Sequence, residues 1–220
     1  MTKHRALFSA IAVGALCAGT AQADALDHAS GHMYMGAGVG YLKQSSVLSS
    51  AAAQDQQFQS LNGASTQAGG GFAGRIFAGY TVTDNIAVEL GYLHALGVSS
   101  GLTVAYPGAG QVTANGKLQL NGFDLSMLLR PSESTGMHNL FGRVGVSRWT
   151  AKNNASFSVG GVSTSSTYST SGTGWLVGGG YDYPIDQTWA VRAEATYYAK
   201  VAGLAGASAI NLGVSVIGRF

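Results

Sequence analysis

Several short patterns in the chain have residue types that could do chemistry. Gly97-Val98-Ser99-Ser100-Gly101 has the spacing of a nucleophile elbow, which works only at a strand-to-helix turn with Asp and His partners. Gly69-Gly70-Gly71-Phe72-Ala73-Gly74 fits G-x-G-x-x-G, a phosphate cradle only where a helix follows. No helical pattern follows either stretch, so neither predicts catalysis or phosphate binding. His28 and His32 are four apart and would share a metal on a helix, but the pair has no third ligand, and an exposed polar lead-in explains it. His94 and Ser99 are a base and a hydroxyl close in sequence, with no acidic residue between 97 and 115 to orient them. An interfacial histidine accounts for His94. Asn154-Ala155-Ser156 fits a glycosylation sequon, too short a pattern to specify chemistry by itself.

The more informative set is nine charges: Arg75, Glu89, Asp124, Arg130, Arg143, Asp182, Arg192, Glu194 and Arg219. Each sits in a stretch that alternates apolar with small or polar residues, and each falls on the second face. Such faces close around a lumen in a membrane barrel, whose apolar faces meet lipid. Five bases and four acids there must pair, because an isolated buried charge is costly. One reading is a plug that holds the barrel shut; the other is a gate or narrow ion path lined by switchable salt bridges. An eight-stranded barrel is just wide enough for side chains to fill its interior, which favours the plug.

The elements that must position these charges are strands. The clearest is Ser208 to Phe220, with Ile210, Leu212, Val214, Val216, Gly218 and Phe220 on one face and Ala209, Asn211, Gly213, Ser215, Ile217 and Arg219 on the other. The same period predicts strands at 33–43, 70–82, 86–96, 116–130, 139–150, 171–183 and 189–200. Gly36, Gly38 and Gly40 put bare backbone on the lumen face of the first. Short turns at 83–85, 131–138 and 184–188 alternate with long neutral loops at 44–69, 97–115 and 151–170, and a shorter loop near 201–207. Aromatics collect near strand ends: Tyr80, Tyr92, Tyr181, Tyr183, Trp189, Tyr197 and Phe220. Short turns alternating with long loops are the outer-membrane pattern, with both termini in the periplasm. The expected fold is all-β: an eight-stranded antiparallel up-and-down transmembrane β-barrel in one domain.

Bulk properties agree. The 220 residues include 33 Gly and only 10% charged residues, against usual values of about 7% and about 25%. No apolar run outside the amino-terminus is long enough for a spanning helix. A net charge of +2 with scattered bases leaves no nucleic-acid footprint. Lys3 and Arg5, the apolar run Ala6 to Ala18 and the small-x-small site Ala21-Gln22-Ala23 predict a signal peptide over 1–23 and a mature barrel over 24–220. Cys17, the one cysteine, lies in the removed segment. A lipoprotein reading of it fails because Gly14 stands where Leu is expected. The mature chain then has no thiol and no disulfide, and none of its patterns predicts a cofactor or a metal.

Gly79-Tyr80-Thr81-Val82-Thr83-Asp84-Asn85-Ile86-Ala87-Val88-Glu89-Leu90-Gly91-Tyr92 resembles the second hairpin of the OmpA-like outer-membrane β-barrel superfamily. Met33 to Tyr41 and the terminal strand are similar to that family's first and last strands. The resemblance implies export to the cell outer membrane of a Gram-negative bacterium and contact with outer-membrane lipid and lipopolysaccharide. It implies that Phe220 is an assembly signal read by the barrel assembly machinery. Ending at Phe220, the chain is expected to carry no peptidoglycan-binding domain. Lipid-A-modifying barrels place a Ser/His pair at the level of His94, so a lipid-modifying enzyme is the third reading. The first is a structural scaffold, without catalysis, whose loops meet a host or phage surface ligand. The second is a low-conductance porin-like channel for small solutes.

Overall fold

The computed structural model describes residues 31–45, 65–66, 69–106, 110–132, 137, 139–159 and 162–220. Those residues fold into nine strands: β1 (Met33–Ser45), β2 (Ser65–Thr66), β3 (Gly70–Thr83), β4 (Ile86–Tyr106), β5 (Gly110–Leu129), β6 (Leu140–Val159), β7 (Val162–Pro184), β8 (Trp189–Ala199) and β9 (Ser208–Arg219). Eight form the barrel, and β2 is a two-residue ladder on the upper part of β4. Each barrel strand pairs antiparallel with its chain neighbour. β1 pairs with β9, and the β4–β5 pairing completes an unbroken ring. The fold is therefore the expected closed, up-and-down eight-stranded barrel, and closure leaves no open edge in the membrane.

Alternation decides which way each side chain faces. Along β3 the odd positions from Gly71 to Thr81 are buried or face inward, and Phe72, Ile76 and Tyr80 are exposed. The outward set continues with Val88, Leu90, Phe123, Leu125, Val144, Val146, Val177, Leu212, Val214 and Val216, all exposed to where lipid would lie. Two aromatic girdles bound this band. The upper one is built of adjacent pairs: Tyr41 with Phe72, Tyr92 with Phe123 and Trp175 with Tyr197, ring centroids 6.2, 4.8 and 5.8 Å apart. The lower one contains Tyr80, Tyr181, Tyr183, Trp189 and Phe220, all exposed. Eight positions separate Tyr80 from Phe72 along β3, roughly 27 Å of strand, or about 20 Å of height at a barrel tilt of about 40°, comparable to an apolar band about 25 Å tall.

Two of the expected loops are strands instead. Most of 97–115 continues β4 and β5 to Tyr106 and Gly110, and most of 151–170 continues β6 and β7 to Val159 and Val162. The four strands extend as a pleated ribbon beyond the upper girdle, with β5 and β6 paired as far as Asn115 with Ser156. Backbone pairing continues where small, hydroxylated and amide residues replace most of the large apolar ones, so the composition signal for a strand weakens before the strand ends. The sequences at 97–101 and 69–74 thus fall in or against strands β4 and β3, with no helix to turn them into an elbow or a phosphate cradle. The rest of the 44–69 loop, the signal peptide, Cys17, His28 and Glu133 to Gly136 lie outside the described residues.

The short connections sit at the opposite end. Thr83 to Ile86 is a tight turn, and Asn85 Nδ2 donates to the carbonyl of Arg130 at 3.1 Å, tying two turns together. Asp186 Oδ1 accepts from the backbone N–H of Thr188 and Trp189, both at 2.7 Å, the Asx arrangement that favours Asp there.

Candidate functional site

The lumen is filled in three layers. In the middle layer Arg75, Glu89, Asp124, Arg130, Arg143, Asp182, Arg192 and Glu194 are all buried. β3 supplies Arg75, β4 Glu89, β5 Asp124, β6 Arg143, β7 Asp182 and β8 both Arg192 and Glu194; Arg130 follows the end of β5. Each points inward for the same reason, a polar residue on the face opposite the lipid-facing residues of its strand.

Glu89 is the hub. Its Oε1 receives Arg75 Nη2 at 2.6 Å, its Oε2 receives Arg192 Nη1 at 2.6 Å, and Arg143 Nη2 approaches to 3.5 Å. Tyr34 also donates to Oε2 at 3.3 Å. Arg192 holds Asp182 two-pronged, Nε to Oδ1 at 2.7 Å and Nη2 to Oδ2 at 2.9 Å, the fork geometry that arginine suits best. Arg130 joins Asp182 at 3.0 Å. On the other side Arg143 bonds Asp124 and Ser126 Oγ and reaches Glu194 at 3.3 Å, while Arg75 reaches Glu194 at 3.4 Å and Asp124 at 3.5 Å. Four arginines and four carboxylates thus form one connected, formally neutral network. Arg219, the ninth charge, is only half-buried. It lines a vestibule of about 10 Å³ at the turn end with Arg130, Asp182 and Arg192, room for about one water molecule.

Toward the turns lies an aromatic layer of Tyr34, Phe77 and Phe141 with Ala87, Leu128, Ala190 and Ile217, and Arg130 and Asp182 reach past it to the vestibule. Arg75 stacks over Phe77 and Arg192 over Phe141, each at 4.5 Å from the ring centre, a cation–π contact that gains strength away from water. Above the charges lies an apolar layer around Leu42, Leu93, Leu120, Trp149, Leu176 and Tyr198, with Trp149 edge-on to Tyr198 at 5.0 Å.

The β8–β9 connection closes this upper end. The sequence reading made it an ordinary short loop. In the fold it turns inward through a 3-10 turn at Val201–Gly203 and buries Val201, Ala202, Leu204 and Ala207. Lys200, Ala202, Gly203 and Gly206 all have left-handed φ, which bends the segment back over the mouth. Gly203 lies directly on Gly172 of β7. The signal was available: Val201, Ala202 and Leu204 are apolar where an exposed loop would be polar.

Glycine makes the filling possible. Facing Tyr34, Phe77, Trp149 and Phe141 across the ladder are Gly79, Gly36, Gly122 and Gly180, and a Cβ on any of these would run into the opposing ring. At Gly91 it would come within 2.8 Å of Arg75 and Asp124.

On the lipid side, His94 is half-buried against its register partner Asn121. Its Nδ1–H donates to Asn121 Oδ1, which also accepts from Tyr92 Oη at 3.3 Å. A polar trio thus sits at the upper girdle. Ser99 belongs to the strand extension, past a register shift between Ala95 and Val98. Phe220 is exposed at the lower girdle, its N–H donating to the carbonyl of Met33 at 3.0 Å. Among the described residues no cluster of three or more His, Cys, Asp or Glu could hold a metal.

Comparisons with known proteins place this geometry. The sequence matches the outer membrane protein beta-barrel domain family over residues 8–217, and the chain belongs to that family. Its strands therefore cross the bacterial outer membrane. The outer membrane protein OprG of Pseudomonas aeruginosa superposes with a TM-score of 0.53 at 14% identity, covering 90% of this chain and 99% of that one. Ail, the attachment invasion locus protein of Yersinia pestis, gives 0.48 at 13% identity over 87% and 99%. Neisserial surface protein A gives 0.45 at 19% identity over 86% and 97%. No curated protein sequence matches.

Proposed function

From that membership we propose a structural and interactive role: a closed outer-membrane scaffold whose lumen is plugged and whose extracellular strand ribbon meets a surface ligand. The observation that carries the plug is the connected network of four arginines and four carboxylates, packed against the aromatic layer and sealed above by the apolar one. An ion would have to separate charges already paired in a low-dielectric interior, then pass Trp149, Tyr198 and the folded-in β8–β9 segment.

The observation that supports surface interaction is the ribbon itself. β7 pairs with β8 only between Trp175 and Pro184, and the β8–β9 segment covers Gly172 and Gly174, so its stretch 162–171 has no strand partner on that side among the described residues. That edge contains no Lys, Pro or acidic residue, the usual means of blunting an open strand edge. A ligand met there, on a host cell or a phage, would be held by backbone and hydroxyl hydrogen bonds rather than by charge. In this reading His94 is a structural member of the polar trio, and His94→Ala leaves outer-membrane lipid composition unchanged. Export through a signal peptide cleaved after Ala23 and delivery of the β9 strand to the assembly machinery complete the proposal.

Single-channel recording of the refolded protein in a planar bilayer is the test. A silent trace from protein shown to be inserted is expected of the wild type. Discrete conductance steps that shift in Arg143→Ala or Glu194→Ala would instead make the lumen a path, and the protein a small-solute channel.

A further inference from the structure

The vestibule at the turn end is lopsided in charge. Its wall holds three guanidiniums, Arg130, Arg192 and Arg219, against one carboxylate, Asp182. Both oxygens of that carboxylate are engaged. Oδ1 accepts from Arg192 Nε at 2.7 Å, and Oδ2 accepts from Arg192 Nη2 at 2.9 Å and from Arg130 Nη2 at 3.0 Å. Arg130 Nε is buried and has no hydrogen-bond partner among the described residues. A buried donor without an acceptor costs free energy, and one on a charged group costs more. An acceptor that is itself negative offsets both that cost and the excess of positive charge.

The wall is also fixed in place. Arg130 N–H donates to the carbonyl of Asn85 at 2.8 Å, Asp182 N–H to that of Asn139 at 2.9 Å and Arg219 N–H to that of Thr188 at 2.9 Å. His32, another wall residue, is held through its carbonyl, which accepts from Thr81 N–H at 3.0 Å. Donors already held lose little freedom when a ligand arrives. The free space of about 10 Å³ takes one water-sized group. One oxygen of a carboxylate fits it, whereas a tetrahedral phosphate, with oxygens on every side, is too wide. A planar carboxylate also matches the guanidinium fork. We propose that the vestibule is a binding site for the carboxylate of a periplasmic ligand, seated on Arg130 Nε–H beside Arg219. Its opening lies at the short-turn end, which the outer-membrane reading puts in the periplasm, so the site is separate from the ribbon that meets a surface ligand.

The test is nitrogen–proton NMR of the arginine Nε–H groups in the refolded protein, titrated with sodium acetate at constant ionic strength. Arg130→Lys, which keeps a cation beside Asp182, assigns the Arg130 signal by removing it. That signal is expected to shift saturably with acetate, far less with chloride and not with phosphate, while exposed Arg148 on the outer wall stays unmoved. Followed through the Arg219 signal, acetate is expected to bind Arg130→Lys roughly tenfold or more weakly, as loss of one charge-assisted hydrogen bond implies. No saturable shift at Arg130, or an equal one at Arg148, overturns the site. An equal response to chloride or phosphate overturns the carboxylate and leaves a plain anion site. An acetylated dipeptide sorts the source. A response matching acetate's, and absent with the dipeptide amide, supports a peptide end, and a response to acetate alone supports a free acid. Heat-modifiable gel migration of each sample, run alongside, reports the barrel itself. Its loss in the wild type would count against the outer-membrane reading rather than against the vestibule.

Discussion

Strands β4 to β7 pass through two surroundings with one kind of backbone pairing. Below the upper girdle, β5 sets Phe123, Leu125 and Met127 outward and Asp124, Ser126 and Leu128 inward. Above it, residues 110–118 pair as regularly with β4 and keep the two-residue period, Gln111, Thr113, Asn115 and Lys117 alternating with Val112, Ala114, Gly116 and Leu118, but small residues replace most of the large apolar ones. Bulky apolar residues are thus what lipid on one side and a packed lumen on the other impose. Strand pairing alone does not require them. The embedded half is specified by side chains, and the ribbon by hydrogen bonds that a partner or water could equally satisfy.

A one-residue insertion separates the halves most sharply. Placed between Gly145 and Val146, it turns the upper part of β6 over, driving Val146 and Arg148 inward and Trp149 out to lipid. The apolar layer would lose its largest member and gain an unpaired charge, a penalty of several kcal/mol. No heat-modifiable folded form is expected on gels. The same insertion between Asn153 and Asn154 leaves every embedded position facing as before, and folding should survive it.

Next comes the hub of the lumen. Glu89→Ala strands Arg75 and Arg192, each now missing its 2.6 Å partner, and should cost about 3–5 kcal/mol, as breaking a buried pair does. Urea unfolding in lipid vesicles, followed by tryptophan fluorescence, measures this. Lys152→Ala, an exposed charge of the upper half, should fall within about 0.5 kcal/mol of wild type in the same assay. Comparable losses for the two would erase the distinction between halves.

Glycines test the two faces of a single wall. Gly36→Val pushes a branched side chain into the Phe77 ring and is expected to cost about 1–3 kcal/mol, the usual toll of overpacking. Gly74, on the outward face of β3, has nothing within 4 Å of where its Cβ would stand. Gly74→Val should be neutral or slightly stabilising, because it fills lipid-facing space with a residue that favours strands. The same unfolding assay gives both values, and their order matters more than their size.

The sequence made the embedded half legible because lipid and lumen impose opposite demands at every step. Facing followed from the period alone, from Arg75 against Ile76 to Glu194 against Ala195, and so did the lumen address of eight buried charges. Three things did not follow from the period. The ribbon is built mostly of small, hydroxylated and amide residues, so residues 97–115 and 151–170 read as loops. The β8–β9 segment folds inward on left-handed residues, two of them not glycine, and period-two reasoning does not extend to such backbone. The layering of aromatic, charged and apolar shells depends on shear, which sets which residues of different strands share a height; no single strand contains that information.

The smallest effect is expected from removing the ribbon's tip. Ser100 pairs with Gly116, so replacing 101–115 with Asn-Gly leaves a two-residue hairpin of the favoured kind. What is lost from the described structure is the outer β4–β5 ladder, the pairing of Asn115 with Ser156 and the two-residue contact of β2 with Leu102 and Thr103. None of the three lumen layers includes a residue from 101–115. Barrel stability should therefore move by less than about 1 kcal/mol, within the range of surface changes away from the core. Retained folding with lost binding of cells or phage would assign recognition to the ribbon and stability to the barrel. If the shortened protein fails to fold, the ribbon instead pins the β4–β5 register during closure, and the two halves are one unit after all.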